Sequence, residues 1–210
     1  RLLHAGAFNW TFTMGTGLMD PWSCGATSLI LDADAQLSDI PALVKQHEAT
    51  LFAAVPGVYR KILQSEEDLN LRNLRHGLSA GEKLSQTVQA NWKSRTGTGI
   101  YEAFGMSECS TFISQAPHRN SDPSALDIPQ TGRHIAILSN DGPVPVGKTG
   151  QIAVHKDDPG LMLGYFNAPE ATRDRFQGHW FLTGDLGRMS EDGSIHYEGR
   201  ADDMMNAGGF

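Results

Sequence analysis

Hydrophobic positions along the chain follow two different rhythms. In the first half, short apolar runs of strand length recur at Gly25 to Leu31, Thr50 to Val55, around His76 to Leu78, and Ile100 to Phe104. Between them apolar residues fall at helical spacing. Ile40, Leu43, Val44 and His47 follow the i, i+3, i+4, i+7 pattern, with Ser38 as the expected N-cap. Pro56 opens a segment carrying Val58, Ile62 and Leu63, and Leu84 to Arg95 places Val88 and Trp92 on one face before Gly97 stops it. Alternation of this kind predicts a mostly parallel sheet covered by helices. Ahead of it, Leu2 to Trp22 is rich in aromatic and small residues, and Pro21 is expected to break any helix by disfavouring the α conformation at Asp20.

After Pro117 the rhythm changes. His118 to Pro129 is polar and aperiodic, as expected of a surface connection. From Gly132 the chain reads as short strands, RHIAIL, TGQIAVH, WFLTGDLGRM and SIHYEG. Turn signals stand at Asn140-Asp141-Gly142, Asp157 to Gly160 and Asp192-Gly193, and a helical interruption spans Pro169 to Phe176. The expected fold class is therefore α/β: an α/β part over residues 1–130, a small antiparallel β subdomain over 131–199, and a hinge region over 200–210.

Composition narrows the function classes. With 210 residues, about 40% of them apolar, the chain can bury a sizeable core. The formal charge, 17 − 24 = −7, is spread without blocks and offers no basic footprint for nucleic acid. Cys24 and Cys109 are far apart and in no metal spacing, and a reducing, cytoplasmic setting is expected. No apolar run approaches the roughly 18 residues of a membrane span, and no signal-peptide pattern opens the chain. A start at Arg1 and a stop just after Gly208-Gly209 suggest a fragment of a longer protein.

Three stretches carry candidate chemistry. Ile100-Tyr101-Glu102-Ala103-Phe104-Gly105-Met106-Ser107-Glu108 reads as a strand that breaks at Gly105 and ends in a hydroxyl and a carboxylate. The carboxyl end of a strand in an open α/β sheet is where ligands bind. Ser107 and Glu108 together suit a phosphate and its Mg²⁺, which takes oxygen ligands from one or two carboxylates plus substrate. Farther on, Trp180 to Asp185 ends in Thr-Gly-Asp, and Gly199-Arg200-Ala201-Asp202-Asp203 follows. A carboxylate can accept both ribose hydroxyls, and a guanidinium can fork onto ribose or phosphate oxygens. By contrast, Gly142 to Thr149 spells G-x-x-x-x-G-K-T but contains Pro143 and Pro145, which remove backbone donors, and is followed by strand-like alternation. A hairpin loop is expected there, not a phosphate cradle.

The set of motifs resembles the adenylate-forming superfamily of acyl-CoA synthetases, nonribosomal-peptide adenylation domains and luciferases. YEAFGMSE resembles its strand and loop ending in Gly-x-Thr-Glu, with Ser107 for the usual Thr. WFLTGDLG resembles its Thr-Gly-Asp segment, and GRADDMMNAGGF its hinge and glycine loop. The order and spacing fit over essentially the whole chain. The resemblance implies an AMP-forming acid–thiol ligase using ATP, Mg²⁺ and coenzyme A. In it Glu108 would hold the metal and Ser107 would contact the α-phosphate. Gly81, Glu82, Lys83 and Glu102, Ala103, Phe104, Gly105 and Met106 would line the adenine or ribose, Asp185 and Arg200 would bind the ribose, and Asp202 would be the hinge. Trp10, Met14, Gly15 and Tyr101, with Phe8, Asn9, Phe104 and Met106, are candidates for the acyl pocket of a small carboxylic acid. The family's phosphate loop would precede Arg1, and its C-terminal domain would follow Phe210. Loading of a carrier protein instead of CoA, or a nucleotide-binding module without chemistry, remain alternatives.

Overall fold

The structure is a computed structural model describing residues 1–32, 34–65, 68–119, 122 and 125–201. The chain divides into two compact units, Arg1–Ser107 with Ala116–Arg119, and Glu108–Gln115 with Asn120–Phe210.

The first unit is built on five parallel strands: β1 (Leu2–His4), β2 (Ser28–Ile30), β3 (Leu51–Ala54), β4 (His76–Ala80) and β5 (Ile100–Met106). They lie in the order β2-β1-β3-β4-β5. Helical segments connect them: α1 (Thr11–Met14), a π-helical turn (Gly15–Met19), α2 (Asp20–Ser23), a 3₁₀ turn (Leu37–Asp39), α3 (Ile40–Gln46), α4 (Pro56–Gln64) and α5 (Gln86–Thr96). One main cluster buries Leu3, Phe52 and Ala54 with Val44, Tyr59, Ile62, Leu84, Val88 and Trp92. Burying each such large side chain contributes about 1.5–3 kcal/mol. The Tyr59 hydroxyl sits 2.9 and 3.0 Å from the Phe52 and Leu78 carbonyls, and only a glycine fits at Gly77, where a Cβ would stand 2.6 Å from that oxygen. A second cluster joins Leu2, Phe12, Ala53 and Ala80, with Trp10, Leu78 and Ala103 packed against it. Helix α5 starts as expected of a capped helix, with Ser85 Oγ accepting from Val88 N–H at 3.3 Å, and ends at Gly97 in the left-handed region.

Four local expectations are corrected. Pro21 does not end the helical run: Asp20 keeps α dihedrals, φ −64° and ψ −48°. The proline falls in the first turn of α2, where its missing N–H is tolerated, and the π turn before it widens the ladder. The run Gly25 to Leu31 forms only the short edge strand β2, half-buried to exposed rather than buried. Gln36, not Ser38, caps the next helical segment, in a reciprocal pair with Asp39. Strand β5 continues through Gly105 to Met106 instead of breaking at the glycine.

The second unit holds an antiparallel pair, β6 (Ser110–Ser114) with β7 (Ile128–Pro129), and an antiparallel sheet. The sheet comprises β8 (Ile135–Ser139), β9 (Gly142–Pro143), β10 (Thr149–His155), β11 (Phe176–Gln177), β12 (Trp180–Met189) and β13 (Ile195–Arg200). Its order is β11-β12-β10-β8-β9, with β13 also paired to β12, and helix α6 (Pro169–Arg173) interrupts it in sequence. Ile137, Leu138, Ile152, Val154, Phe181 and Ile195 are buried. Thr149–His155 is a strand, so no helix follows the G-x-x-x-x-G-K-T string and the hairpin reading holds. Among the described residues no helix is long and apolar enough to cross a membrane.

Candidate functional site

In the first unit Gly81 to Lys83 and Gly105 to Ser107 lie at the carboxyl ends of β4 and β5, while Tyr101 sits near the start of β5 and Met14 and Gly15 in the helical run after β1. The turn Gly81 to Lys83 follows β4. Gly81 has φ +93°, and a Cβ there would lie 2.9 Å from the Trp10 ring, so the glycine lets indole and backbone meet. Trp10 packs edge-on against Phe12 at 5.3 Å and joins the apolar cluster that Ala103 also touches. Trp10, Gly81 and Ala103 are thus neighbours of one packed group. Glu102 points to the same turn: one carboxylate oxygen accepts from Leu84 N–H at 2.7 Å and the other faces Gln89 Nε2 at 3.4 Å. Burial raises the Glu102 carboxyl above its ordinary value, opposed by the Leu84 N–H and by Lys83. Its side chain therefore fastens the turn. Tyr101 stands edge-on to His76 at 5.4 Å, while Met14 is exposed and nothing lies within 4 Å of a Cβ placed on Gly15. Gly105, near the end of β5, and Ser107, in the turn after it, are both exposed.

In the second unit β12 and β13 bring Asp185 and Arg200 directly opposite each other across an antiparallel pair. Side chains so paired share one face of the sheet. Arg200 Nη1 is 3.3 Å from Asp185 Oδ1 and 3.4 Å from the Thr183 carbonyl. Gly184, at φ +82°, leaves room for this, since a Cβ would sit 2.9 Å from Arg200 Nη2. Thr183 is buried, donating to the Ile152 carbonyl at 2.7 Å and accepting the Asp185 N–H at 3.1 Å. Burial pushes the Asp185 carboxyl above the usual aspartate value, and Arg200, Arg175 and the Thr183 hydroxyl pull it back.

Glu108 lies in the same unit. Its Oε1 accepts from the Tyr165 hydroxyl at 2.7 Å, and its carbonyl accepts from Met162 N–H at 2.6 Å. Burial, then Glu108, raises the Tyr165 phenol, while Arg175 lowers it. Arg175 thus lowers both the Tyr165 phenol and the Asp185 carboxyl. The segment after Glu108 is anchored by Arg133, which donates to the Cys109 and Thr111 carbonyls at 2.6 and 2.7 Å and pairs with buried Asp158 at 2.9 Å.

Asp202 lies outside the described residues. Tyr165, Arg175, Arg133 and Asp158 are absent from the sequence-level candidates, and nothing in their spacing marks them. Among the described residues no three His, Cys, Asp or Glu side chains gather as a metal cage. Glu108 has one carboxylate oxygen on the Tyr165 hydroxyl, and a magnesium ion takes one or two carboxylates with substrate phosphates rather than an all-protein cage.

The sequence pattern of a family described as AMP-binding enzyme matches residues 1–166. The mitochondrial acyl-coenzyme A synthetase ACSM3 of Rattus norvegicus is 30% identical over 208 residues, covering 96% of this chain and 36% of the rat protein. The 3-hydroxybenzoate–CoA ligase of Aromatoleum sp. (strain CIB) is 30% identical over 206 residues, covering 96% of this chain and 39% of that protein. Among solved structures, the anthranilate CoA ligase AuaEII in complex with anthranoyl-AMP matches with a TM-score of 0.85 at 30% identity, over 97% of this chain and 40% of that one. The chain spans well under half the length of each of these proteins.

Proposed function

The chain belongs to the AMP-binding enzyme family, and on that premise we propose that the whole protein is an AMP-forming acid–thiol ligase. A carboxylic acid oxygen attacks the α-phosphorus of ATP, the bond to the departing pyrophosphate breaks, and an acyl-adenylate forms. The sulfur of coenzyme A then attacks the acyl carbon, and AMP leaves. The pairing of Asp185 with Arg200, in one unit with a held Glu108, carries this reading. Asp185 accepts the ribose hydroxyls, and Arg200 both orients that carboxylate and donates to ribose oxygen. Gly81, Glu82, Lys83 and the backbone of Glu102 to Met106 border the base and sugar. Ser107 donates to the α-phosphate. Glu108 is the residue that would hold Mg²⁺, which when bound neutralises charge on the phosphates. With no covalent intermediate on the protein, positioning and charge stabilisation are what these residues supply. Trp10, Met14, Gly15 and Tyr101 are assigned to the acyl pocket, and Asp202 to the hinge between half-reactions. The segment spans about 36% of the length of its ACSM3 relative, and made alone it is assigned no adenylating activity.

Calorimetry on the whole protein tests the reading. A non-hydrolysable acyl-adenylate mimic is expected to bind far better than AMP. Binding of neither would overturn it.

A further inference from the structure

We propose that Arg175 is a positioning residue of the ribose site, gripping the same Thr183 carbonyl as Arg200 and so fixing the strand irregularity that aims Asp185. The inference rests on the adenylation reading above and adds to it a residue that no motif marks.

The geometry is specific. Arg175 Nη2 donates to the Thr183 carbonyl at 3.0 Å, and Arg200 Nη1 reaches the same oxygen at 3.4 Å. Two like charges converging on one neutral carbonyl repel each other, so something must offset them. On the Arg200 side Asp185 does so, with its Oδ1 3.3 Å from Arg200 Nη1. Its own placement is built in. The Arg175 carbonyl accepts from Leu182 N–H at 2.7 Å, and its guanidinium carbon lies 5.4 Å from the centroid of the buried Phe181 ring. The Nε of Arg175 is buried with no hydrogen-bond partner among the described residues. An unpaired buried donor is uncommon and calls for a reason. A cation placed for its field and for one carbonyl contact supplies it.

The consequence falls on Thr183-Gly184-Asp185, where the register of β12 against β10 shifts. Gly184 is in the left-handed region and has no side chain to hold it, so the Thr183 carbonyl joins the Thr183 hydroxyl in fixing this irregularity. Asp185 is faced by Arg200 from β13, by Arg175 from the segment ahead of β11, and by the Thr183 hydroxyl on its own strand. From β10, Gln151 pairs with the neighbouring Leu186 and the Ile152 carbonyl accepts from the Thr183 hydroxyl, and neither residue is charged. A merely structural Arg175, tying the corner between α6 and β11, would alter melting temperature but not the dependence of nucleotide affinity on pH.

The test titrates AMP calorimetrically into the whole protein from pH 5 to pH 8, as wild type, Arg175→Met and Arg175→Lys, with melting temperatures alongside. Arg175→Met, which keeps the stem over Phe181, is expected to weaken AMP binding roughly tenfold at neutral pH. It is also expected to move the acid loss of affinity to higher pH. Arg175→Lys is expected to bring that acid limb back, because the charge returns, while recovering only part of the neutral affinity. Should Arg175→Met not fold, Arg175→Lys decides: weakened AMP binding on a wild-type acid limb supports the proposal. Wild-type affinity and an unmoved acid limb in the folded variants would overturn it while leaving the adenylation reading intact. A wild type that binds no AMP would overturn both.

Discussion

His4 gives the first unit an acid-sensitive core. The side chain ends β1, is 1% exposed, and lies edge-on to Phe12 at 4.8 Å. Its Nδ1 accepts the Gly6 N–H at 2.9 Å, which places the ring proton on Nε2. Glycines wall it in: a Cβ on Gly6 would stand 2.9 Å from Cε1, and one on Gly17 2.9 Å from its Cβ. Protonation would put a charge into this enclosure and turn the Nδ1 acceptor into a donor facing another donor. Burial accordingly lowers the His4 pKa from 6.5 to about 4. Between those values the folded chain binds fewer protons than the unfolded one, so stability rises with pH. The contribution is complete above about pH 6.5 and is lost as pH falls towards 4. At about 1.4 kcal/mol per pH unit, the whole effect is about 3 kcal/mol, and about 2 kcal/mol is gone by pH 5. The comparison is with His4→Asn, whose side-chain oxygen can still accept from Gly6 but does not titrate. Urea denaturation at pH 7.5 and pH 5.0, followed by circular dichroism, gives each protein's loss. Glu102, Asp185 and His76 titrate in both proteins and cancel in the difference. Wild type is expected to lose about 2 kcal/mol more than the variant. Parallel losses would refute the reasoning, whatever the variant's own stability at pH 7.5.

In the second unit, Arg133→Met leaves buried Asp158 without its guanidinium and is expected to cost about 3–5 kcal/mol, read as a lower denaturation midpoint. Burial raises the Asp158 carboxyl, but the His134 and Gly160 N–H groups and Arg133 outweigh it and hold the pKa below the ordinary aspartate value. Its stabilisation is therefore present above the unfolded aspartate pKa and lost as pH falls through the folded one. Asp158→Asn should blunt the acid end of the unfolding profile. Tyr165→Phe frees Glu108 Oε1 from its 2.7 Å hydrogen bond. A several-fold rise in the Mg²⁺ concentration needed for ATP binding, with AMP affinity unchanged, is the expected result of a calorimetric titration.

Much of the architecture was legible because single elements carried it. The strand-length runs of β3, β4 and β5 and the Val88–Trp92 face of α5 each decide their own conformation by burial. Where the sequence misled, a neighbour decided instead. Pro21 looked like a breaker but falls where a helix has no need of its N–H, and the π turn ahead of it is invisible to a pattern of apolar spacing. Gly25 to Leu31 looked buried, yet β2 is an edge with one partner strand. The same distinction runs through the site. Asp185 and Arg200 could be read as a pair because one hairpin sets them opposite each other. Arg133 and Asp158 meet only through the β8–β10 pairing, and Tyr165 and Arg175 are aimed by a loop and a helix end that no periodicity describes.

The most direct measurement of the central claim is pyrophosphate–ATP exchange by the whole protein, run with Mg²⁺ across a panel of carboxylic acids. Labelled pyrophosphate should enter ATP only when an accepted acid is present, and Asp185→Ala and Glu108→Gln should each reduce the rate at least a hundredfold, about 2.7 kcal/mol of barrier. Exchange at an undiminished rate in both variants would contradict the assignment of these two carboxylates to ribose and metal.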